Sequence, residues 1–232
     1  MFETCAVNGI FSGRERIRTT TYKEQAYHLI KEAILYQKLK PDAIYSQEAI
    51  CQELGISRTP VREALLELQK EGYIFFCRGK GIQIVALDDA AIHDILETRL
   101  YLEMDIAELA AKRATDTDLA YIADCLEQQR KNLDLQDIDL CYRLDHQFHR
   151  AIARAAHNER FYHAVADILD HYLRFEVLSI YQNYSGTTAI LKEHGLLYDA
   201  ICSRDPKQAR SAAEMHLQNA YKRTLNRYWT EE

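Results

Sequence analysis

The stretch Gly55-Ile56-Ser57-Arg58-Thr59-Pro60-Val61-Arg62-Glu63-Ala64-Leu65-Leu66-Glu67-Leu68 decides how the chain is read. Gly55 supplies a turn, and Ser57 reads as a helix N-cap whose hydroxyl accepts from a free first-turn amide. Pro60 falls in that first turn, where no intrahelical N–H bond is lost. Val61, Ala64, Leu65 and Leu68 recur at i, i+3, i+4 and i+7, which buries one helical face. Arg58 and Arg62 share a neighbouring face at the N-terminal end. That end is where a helix lying in a groove of DNA meets base edges and phosphates. An ordinary amphipathic helix with two solvated arginines would give the same pattern, so the flanking sequence has to decide.

Upstream, Thr21 caps a helix over 22–37 with Tyr27, Ile30, Ala33 and Ile34 as its buried stripe, and Pro41-Asp42 lies beyond its end. Ser46 caps a short helix, Gln47 to Leu54, with Ala49, Ile50 and Leu54 inward. The quoted helix runs to about Glu71, where Gly72 stops it. Tyr73-Ile74-Phe75-Phe76 and Ile82-Gln83-Ile84-Val85 flank the tip Arg78-Gly79-Lys80-Gly81, the signature of a β-hairpin. Helix, helix, turn, helix and a two-stranded wing make a winged helix-turn-helix. Asp88-Asp89 then opens a region that stays helical, with spans near 89–114, 116–133, 138–156, 159–183, 186–203 and 206–229. Thr115, Asp137 or Asp139, Asn158 and Asp205-Pro206 mark helix starts, and Ser185-Gly186 marks a break. The expected fold is mainly α: a winged helix-turn-helix with a small hairpin, then an antiparallel bundle of about six helices. The expected organisation is an arm over 1–20, a DNA-binding domain over 21–87 and a helical domain over 88–232.

Composition narrows the class. Hydrophobic residues make up 47% and charged residues 28% of the 232, with only three prolines and eight glycines, the profile of a helical globular protein. No apolar run approaches the roughly 20 residues that span a bilayer. The start, Met1-Phe2-Glu3-Thr4-Cys5, lacks the basic and apolar regions of a signal peptide. Six scattered cysteines without a Cys-x-x-Cys read as thiols, and the expected location is the cytoplasm. The net charge of −6 is unevenly spread: residues 14–85 carry 12 Lys/Arg against 9 Asp/Glu, and residues 86–232 carry 17 against 25. A mildly basic front joined to an acidic back suits a DNA-binding module attached to a domain with another task.

A second constellation lies in the helical half. Asp145 and His149 stand at i and i+4 on one helix, and His194 and His216 fall on two later helices. Three imidazoles and a carboxylate suit a borderline divalent ion, Zn2+ first, with Ni2+ or Mn2+ as alternatives. The chain has nine histidines, so ordinary structural or exposed rings are the competing explanation. His28, His93, His146, His157, His163 and His171 are read in that ordinary way.

The run from Leu54 to Leu65, with Glu71-Gly72-Tyr73 and Arg78-Gly79-Lys80-Gly81, closely resembles the N-terminal domain of the GntR family of bacterial transcription regulators over about 22–86. The resemblance implies that Arg58, Thr59 and Arg62 contact the major groove, and that Arg78 and Lys80 reach the minor groove or adjacent phosphates. Relatives often carry a basic or apolar residue where Glu48 stands, so no contact is carried over there. Asp145-His146-Gln147-Phe148-His149, Ala155-Ala156-His157-Asn158, Glu193-His194 and Met215-His216-Leu217 resemble the marker motifs of the helical effector domain of the FadR subfamily, the FCD domain. In its metal-binding members the positions of Asp145, His149, His194 and His216 hold an ion at the base of a cavity. Arg99 and Glu103 match a signature whose arginine meets a ligand carboxylate; a plain i, i+4 salt bridge is the other reading. Gly195 interrupts helix at a cost of about 1 kcal/mol, leaving space beside the metal or a crossing helix.

Together these imply a ligand-responsive DNA-binding regulator, a repressor by default, with a divalent metal and a small carboxylate or hydroxy-acid effector. One winged unit has a small interface, so useful affinity calls for a homodimer on an inverted repeat of double-stranded DNA. No membrane partner is expected. The alternative from another class is a metal-dependent enzyme that activates water at the three-histidine, one-aspartate site, although no general base stands at a recognisable spacing.

Overall fold

The computed structural model describes residues 20–132, 137–176 and 184–228, so all of the arm except Thr20 lies outside the described residues. Within them the chain forms nine helices and a small antiparallel sheet. Helix α1 (Tyr22–Leu35) opens on a complete capping box, in which Thr21 accepts from the Glu24 amide and the Glu24 side chain accepts from the Thr21 amide. Ser46 caps α2 (Gln47–Leu54), which ends on Gly55 in the left-handed conformation at φ +67°. The quoted helix is α3 (Arg58–Lys70). Its stripe of Val61, Ala64, Leu65 and Leu68 is wholly buried, together with Tyr73, Ile82 and Ile84.

Several local expectations need correction. Ser57 is the N-cap of α3, but its hydroxyl makes no cap hydrogen bond. The third helical residue, whose amide is a usual donor to a cap, is Pro60, which has no N–H. In α1, Ala26 is buried and Tyr27 only half-buried; the Tyr27 hydroxyl donates to Glu71 at 2.7 Å. In α2, Ala49 is exposed, and Cys51 takes the inward place. The wing has a third strand. β1 (Ile44–Tyr45) pairs with β3 (Gly81–Ile84), which pairs with β2 (Ile74–Cys77), giving the order β1-β3-β2 with Tyr45 opposite Ile82 and Phe76 opposite Ile82. The approach of β1 requires Gly81: a Cβ there would lie 2.1 Å from the Tyr45 carbonyl oxygen, and φ is +123°.

The second half holds α4 (Asp89–Arg113), α5 (Asp116–Lys131), α6 (Ile138–Ala155), α7 (Glu159–Glu176), α8 (Tyr184–Cys202) and α9 (Pro206–Tyr228). Asp88, Thr115 and Asp137 cap α4, α5 and α6 through side-chain oxygens, and Asn158 accepts from the Arg160 and Phe161 amides at the start of α7. Ser185 and Gly186 lie in the first turn of α8 and not in a break; residues 177–183 lie outside the described residues. The central helix α4 packs against α6, α7, α8 and α9. Its buried Ala107, Ala110 and Ala111 meet Ala151, Ala155 and Ala209 in a core of small side chains, which lets helices approach closely.

The halves meet at α7. Lys31 of α1 pairs with Asp170 at 3.0 Å, and Gln37 donates to the Arg174 carbonyl at 2.9 Å. The Tyr73 ring stacks on His171 with centroids 4.7 Å apart, and Leu173 and Tyr142 join the core beneath α3. Burial would push the Lys31 ammonium down, but Asp170 and the hydroxyls beside it outweigh this and hold it above the ordinary lysine value.

Gly81→Ala should cost about 3 kcal/mol, because a strained backbone and a direct clash with the Tyr45 carbonyl coincide. Gly55→Ala, with open space around the new methyl, should cost only about 1 kcal/mol. Urea unfolding followed by far-ultraviolet circular dichroism compares them; equal losses would contradict the β1–β3 approach.

Candidate nucleic-acid interface and metal centre

The exposed face of α3 carries Arg58, Thr59 and Arg62, and the wing tip between β2 and β3 carries Arg78 and Lys80, all solvent-exposed. A groove of about 670 Å3 runs between the helix and the wing, lined by Arg58, Arg62, Arg78 and Lys80. Glu48 of α2 lines it too, and the Arg58 guanidinium donates to its Oε2 at 2.8 Å. The structure thus brings four of the sequence-predicted contact residues to one concavity, with Thr59 exposed beside Arg58, and adds an acid. Thr59 and Arg58 also present first-turn backbone amides that no Ser57 side chain occupies.

The second site is buried where α4, α5, α6, α8 and α9 converge. His149, His194 and His216 place one ring nitrogen each within 4.8 Å of one another, a group able to hold a metal ion. Asp145 lies beside them, with Oδ2 3.7 Å from His149 Nε2 and Oδ1 3.6 Å from His194 Nε2. All four residues are buried. The outer nitrogens are held in turn. Gln129 Oε1 lies 2.8 Å from His194 Nδ1, and Glu193 Oε2 lies 2.9 Å from His216 Nδ1. Glu103 Oε2 stands 2.5 Å from His149 Nδ1, an ion-pair contact whose angle is off-line for a hydrogen bond. The Nε2 atoms of His194 and His216 are buried with no hydrogen-bond partner. Partnered Nδ1 atoms with converging Nε2 atoms are the pattern in which outer hydrogen bonds orient metal-binding imidazoles, so the residues present fit a divalent cation.

Electrostatics favours the neutral form of His194 and His216. Burial pushes His194 well below the ordinary imidazole value, and the neighbouring His216 and His149 rings add to it. Burial also lowers His216, against the opposing hydrogen bond from Glu193. Burial would raise Glu193, but Arg223 and His216 outweigh it and bring the carboxyl to about 2. For Glu103 the same penalty is overcome by His149 and Arg99, which hold it far below the usual carboxylate range.

Arg99 does more than either sequence reading supposed. Its Nε donates to Glu103 Oε1 at 2.6 Å, so the salt bridge forms, while an Nη2 lies 3.2 Å from His149 Nε2. Its guanidinium also stacks on the Tyr172 ring, 4.2 Å from the centroid, and lines a cavity of about 250 Å3 walled by Leu96, Leu217 and Tyr221. The six other histidines stay outside the cluster: His28, His93, His157 and His163 are exposed, His171 packs on Tyr73, and His146 is buried near Tyr172. A Cβ on Gly195 would meet nothing within 4 Å, so that glycine is not demanded by a crossing helix. Sequence reasoning missed Gln129, Asn219 and Arg223. Asn219 and Arg223 both bind Glu193, and they follow His216 at i+3 and i+7, so helical periodicity put them on its face. Gln129 carries no such signal.

Two family models match: the bacterial regulatory proteins of the gntR family over residues 22–84 and the FCD domain over residues 94–219. The Glc operon transcriptional activator of Escherichia coli (strain K12) is 27% identical over 199 residues, covering 76% of this chain and 78% of that protein. The transcriptional repressor RspR of the same strain is 23% identical over 200 residues, covering 86% and 87%. The solved structure of E. coli McbR/YncC superposes with a TM-score of 0.80 at 21% identity, over 90% of this chain and 100% of that one, and shares the fold. The matched families are regulators of transcription and not enzymes, which sets the metal-dependent hydrolase aside. The chain belongs to the gntR family of bacterial regulatory proteins, in the FadR-like group that joins this DNA-binding domain to an FCD domain.

Proposed function

We propose that this protein is a dimeric cytoplasmic repressor in which residues 21–87 read double-stranded DNA and residues 88–232 bind a divalent metal and a small carboxylate or hydroxy-acid effector. The observation that carries the reading is the pairing, in one chain, of an exposed four-cation groove with a buried cluster of three histidines. Arg58 and Arg62 would each donate to guanine O6 and N7, Thr59 would bind the adjacent backbone or base edge, and Arg78 and Lys80 would hold the phosphates or the minor groove beside the wing. Two copies on an inverted repeat supply the affinity that one small module lacks. No described helix is long and apolar enough to cross a membrane.

In the helical half, His149, His194, His216 and Asp145 would hold the cation, Zn2+ before Ni2+ or Mn2+. The bound ion would supply a Lewis-acidic docking point for oxygen donors. Arg99, beside His149 and in the cavity wall, would meet the effector's carboxylate. Effector binding then shifts the dimer between two arrangements by as much as its affinity for them differs. Effector binding would lower operator affinity and relieve repression; the relative RspR is named a repressor, although the Glc operon relative is an activator.

Three outcomes follow. Arg58→Ala and Arg62→Ala should each weaken operator binding by about 1–3 kcal/mol and relax base preference, whereas Lys80→Ala should weaken all duplexes alike and flatten the salt dependence by about one charge. Fluorescence anisotropy over a salt series separates them, and no sequence preference in the parent would sink the reading. Native mass spectrometry and elemental analysis should find one divalent ion per chain, lost in Asp145→Ala and His216→Ala; undiminished metal in both would remove the site assignment. Calorimetry on the loaded protein should then detect a member of a panel of small carboxylates and hydroxy acids.

The third outcome is a pH effect on the metal-free protein. His194 and His216 have folded values below the unfolded imidazole value of about 6.5. Between those limits the unfolded chain binds more protons than the folded one, so stability must fall as pH drops below about 6.5 and level off beneath the folded values. Melting temperatures from pH 7.5 to 5 should show this slope, and His194→Gln should reduce it. A flat parent profile would mean the rings are not buried neutral.

A further inference from the structure

The groove proposed to face DNA contains one acid among its four cations. Glu48 stands in the first turn of α2, exposed, and lines the same concavity as Arg58, Arg62, Arg78 and Lys80. Its Oε2 accepts from the Arg58 guanidinium at 2.8 Å. Both side chains are largely in water, 61% and 76% exposed, and a solvated pair of that kind contributes little to folding. The first helical turn favours an acid modestly through the helix dipole, but that does not require the contact with Arg58. Seated on a duplex, the pair loses its water, and what the carboxylate meets there matters.

A carboxylate only accepts hydrogen bonds. Phosphate oxygens, guanine O6 and N7 and thymine O4 are acceptors and repel it, while the cytosine N4 and adenine N6 amino groups donate; the adenine donor sits beside the N7 acceptor, which leaves cytosine as the better edge. Arg58 keeps free N–H groups for a guanine edge while one of its terminal nitrogens is held by Glu48. We propose that Glu48 is a specificity-determining residue: it positions the Arg58 guanidinium against guanine and accepts from the N4 amino group of an adjoining cytosine. The same charge lowers sequence-independent affinity, because it offsets one cation of the groove. The inference rests on the reading of Arg58 as a DNA contact.

The test uses the full-length protein and its Glu48→Gln and Glu48→Ala variants, each exposed to a pool of random duplexes, followed by anisotropy on the selected site and its single-base-pair variants. The parent should require C·G at one position per half-site, with a penalty of about tenfold or more for T·A there. Glu48→Gln should cut that penalty to about threefold and leave the other positions unchanged. Both variants should bind a random duplex more tightly than the parent, with a steeper salt dependence. In an Arg58→Ala background, Glu48→Gln should no longer alter the preference. Thermal melting should change little, since Glu48 is exposed and its pair with Arg58 is solvated. An identical selected site with an identical penalty in Glu48→Gln overturns the inference while leaving DNA recognition intact. A parent that selects no sequence overturns the reading of Arg58 and this inference with it.

Discussion

Three imidazoles buried side by side need polar groups facing their outer nitrogens, and the helical half is arranged around that requirement. His149 comes from α6, His194 from α8 and His216 from α9, while Glu103 of α4, Gln129 of α5 and Glu193 of α8 face their outer nitrogens. Five helices are thereby fixed in angle as well as in distance, which an alanine-rich apolar core alone does not do. The two carboxylates are themselves held by Arg99 and Arg223, so each negative charge brought inside is balanced. The remaining tension sits on the inner Nε2 atoms, since an unbonded buried polar atom costs about 1–3 kcal/mol. A shared divalent ion removes that cost from several rings together.

Arg99 links this cluster to the rest of the molecule. It touches Glu103 and His149 on one side and lies on the Tyr172 ring on the other. Tyr172 belongs to α7, and the neighbouring His171, Leu173 and Arg174 turn toward the DNA-binding half, where they meet Tyr73, the α3 core and the Val85 carbonyl. A rigid helix cannot shift on one face alone. Packing that displaces Tyr172 is therefore felt at Tyr73, which sits in the core that carries α3. This contiguity is the structural precondition for coupling; the sign of a response to the proposed effector would depend on which arrangement it binds better.

What could be read from the sequence was local. Thr21, Ser46, Asp88, Thr115, Asp137 and Asn158 act as caps, because a cap depends on residues two or three positions away. The stripe of α3 was legible for the same reason. Ser57 misled although it is local, since the proline that marks the helix start also removes the donor its hydroxyl needs. Strand β1 was invisible because two residues carry no alternation, and only Gly81 allows its close approach. The sequence motifs named the histidines and Asp145 that the fold brings together, but not Gln129, which reaches His194 across 65 positions. Pairings such as Lys31 with Asp170 and Glu48 with Arg58 exist only once helices have packed.

A net charge of −6 does not conflict with a DNA-facing groove, because charge acts locally in salt. Beyond about 8 Å at physiological ionic strength, exposed charges are largely screened from one another. A duplex seated in the groove would meet Arg58, Arg62, Arg78 and Lys80 with one acid among them, and not the acidic remainder of the chain. Each net cation at the interface raises affinity for every sequence alike, since it releases condensed counterion wherever it binds. For a protein that must find few sites among many, the ratio of specific to non-specific affinity matters more than either value. An acid in the groove would trim the sequence-blind part. What survives is the part that depends on base edges, and this places the burden of recognition on the orientation of a few arginines.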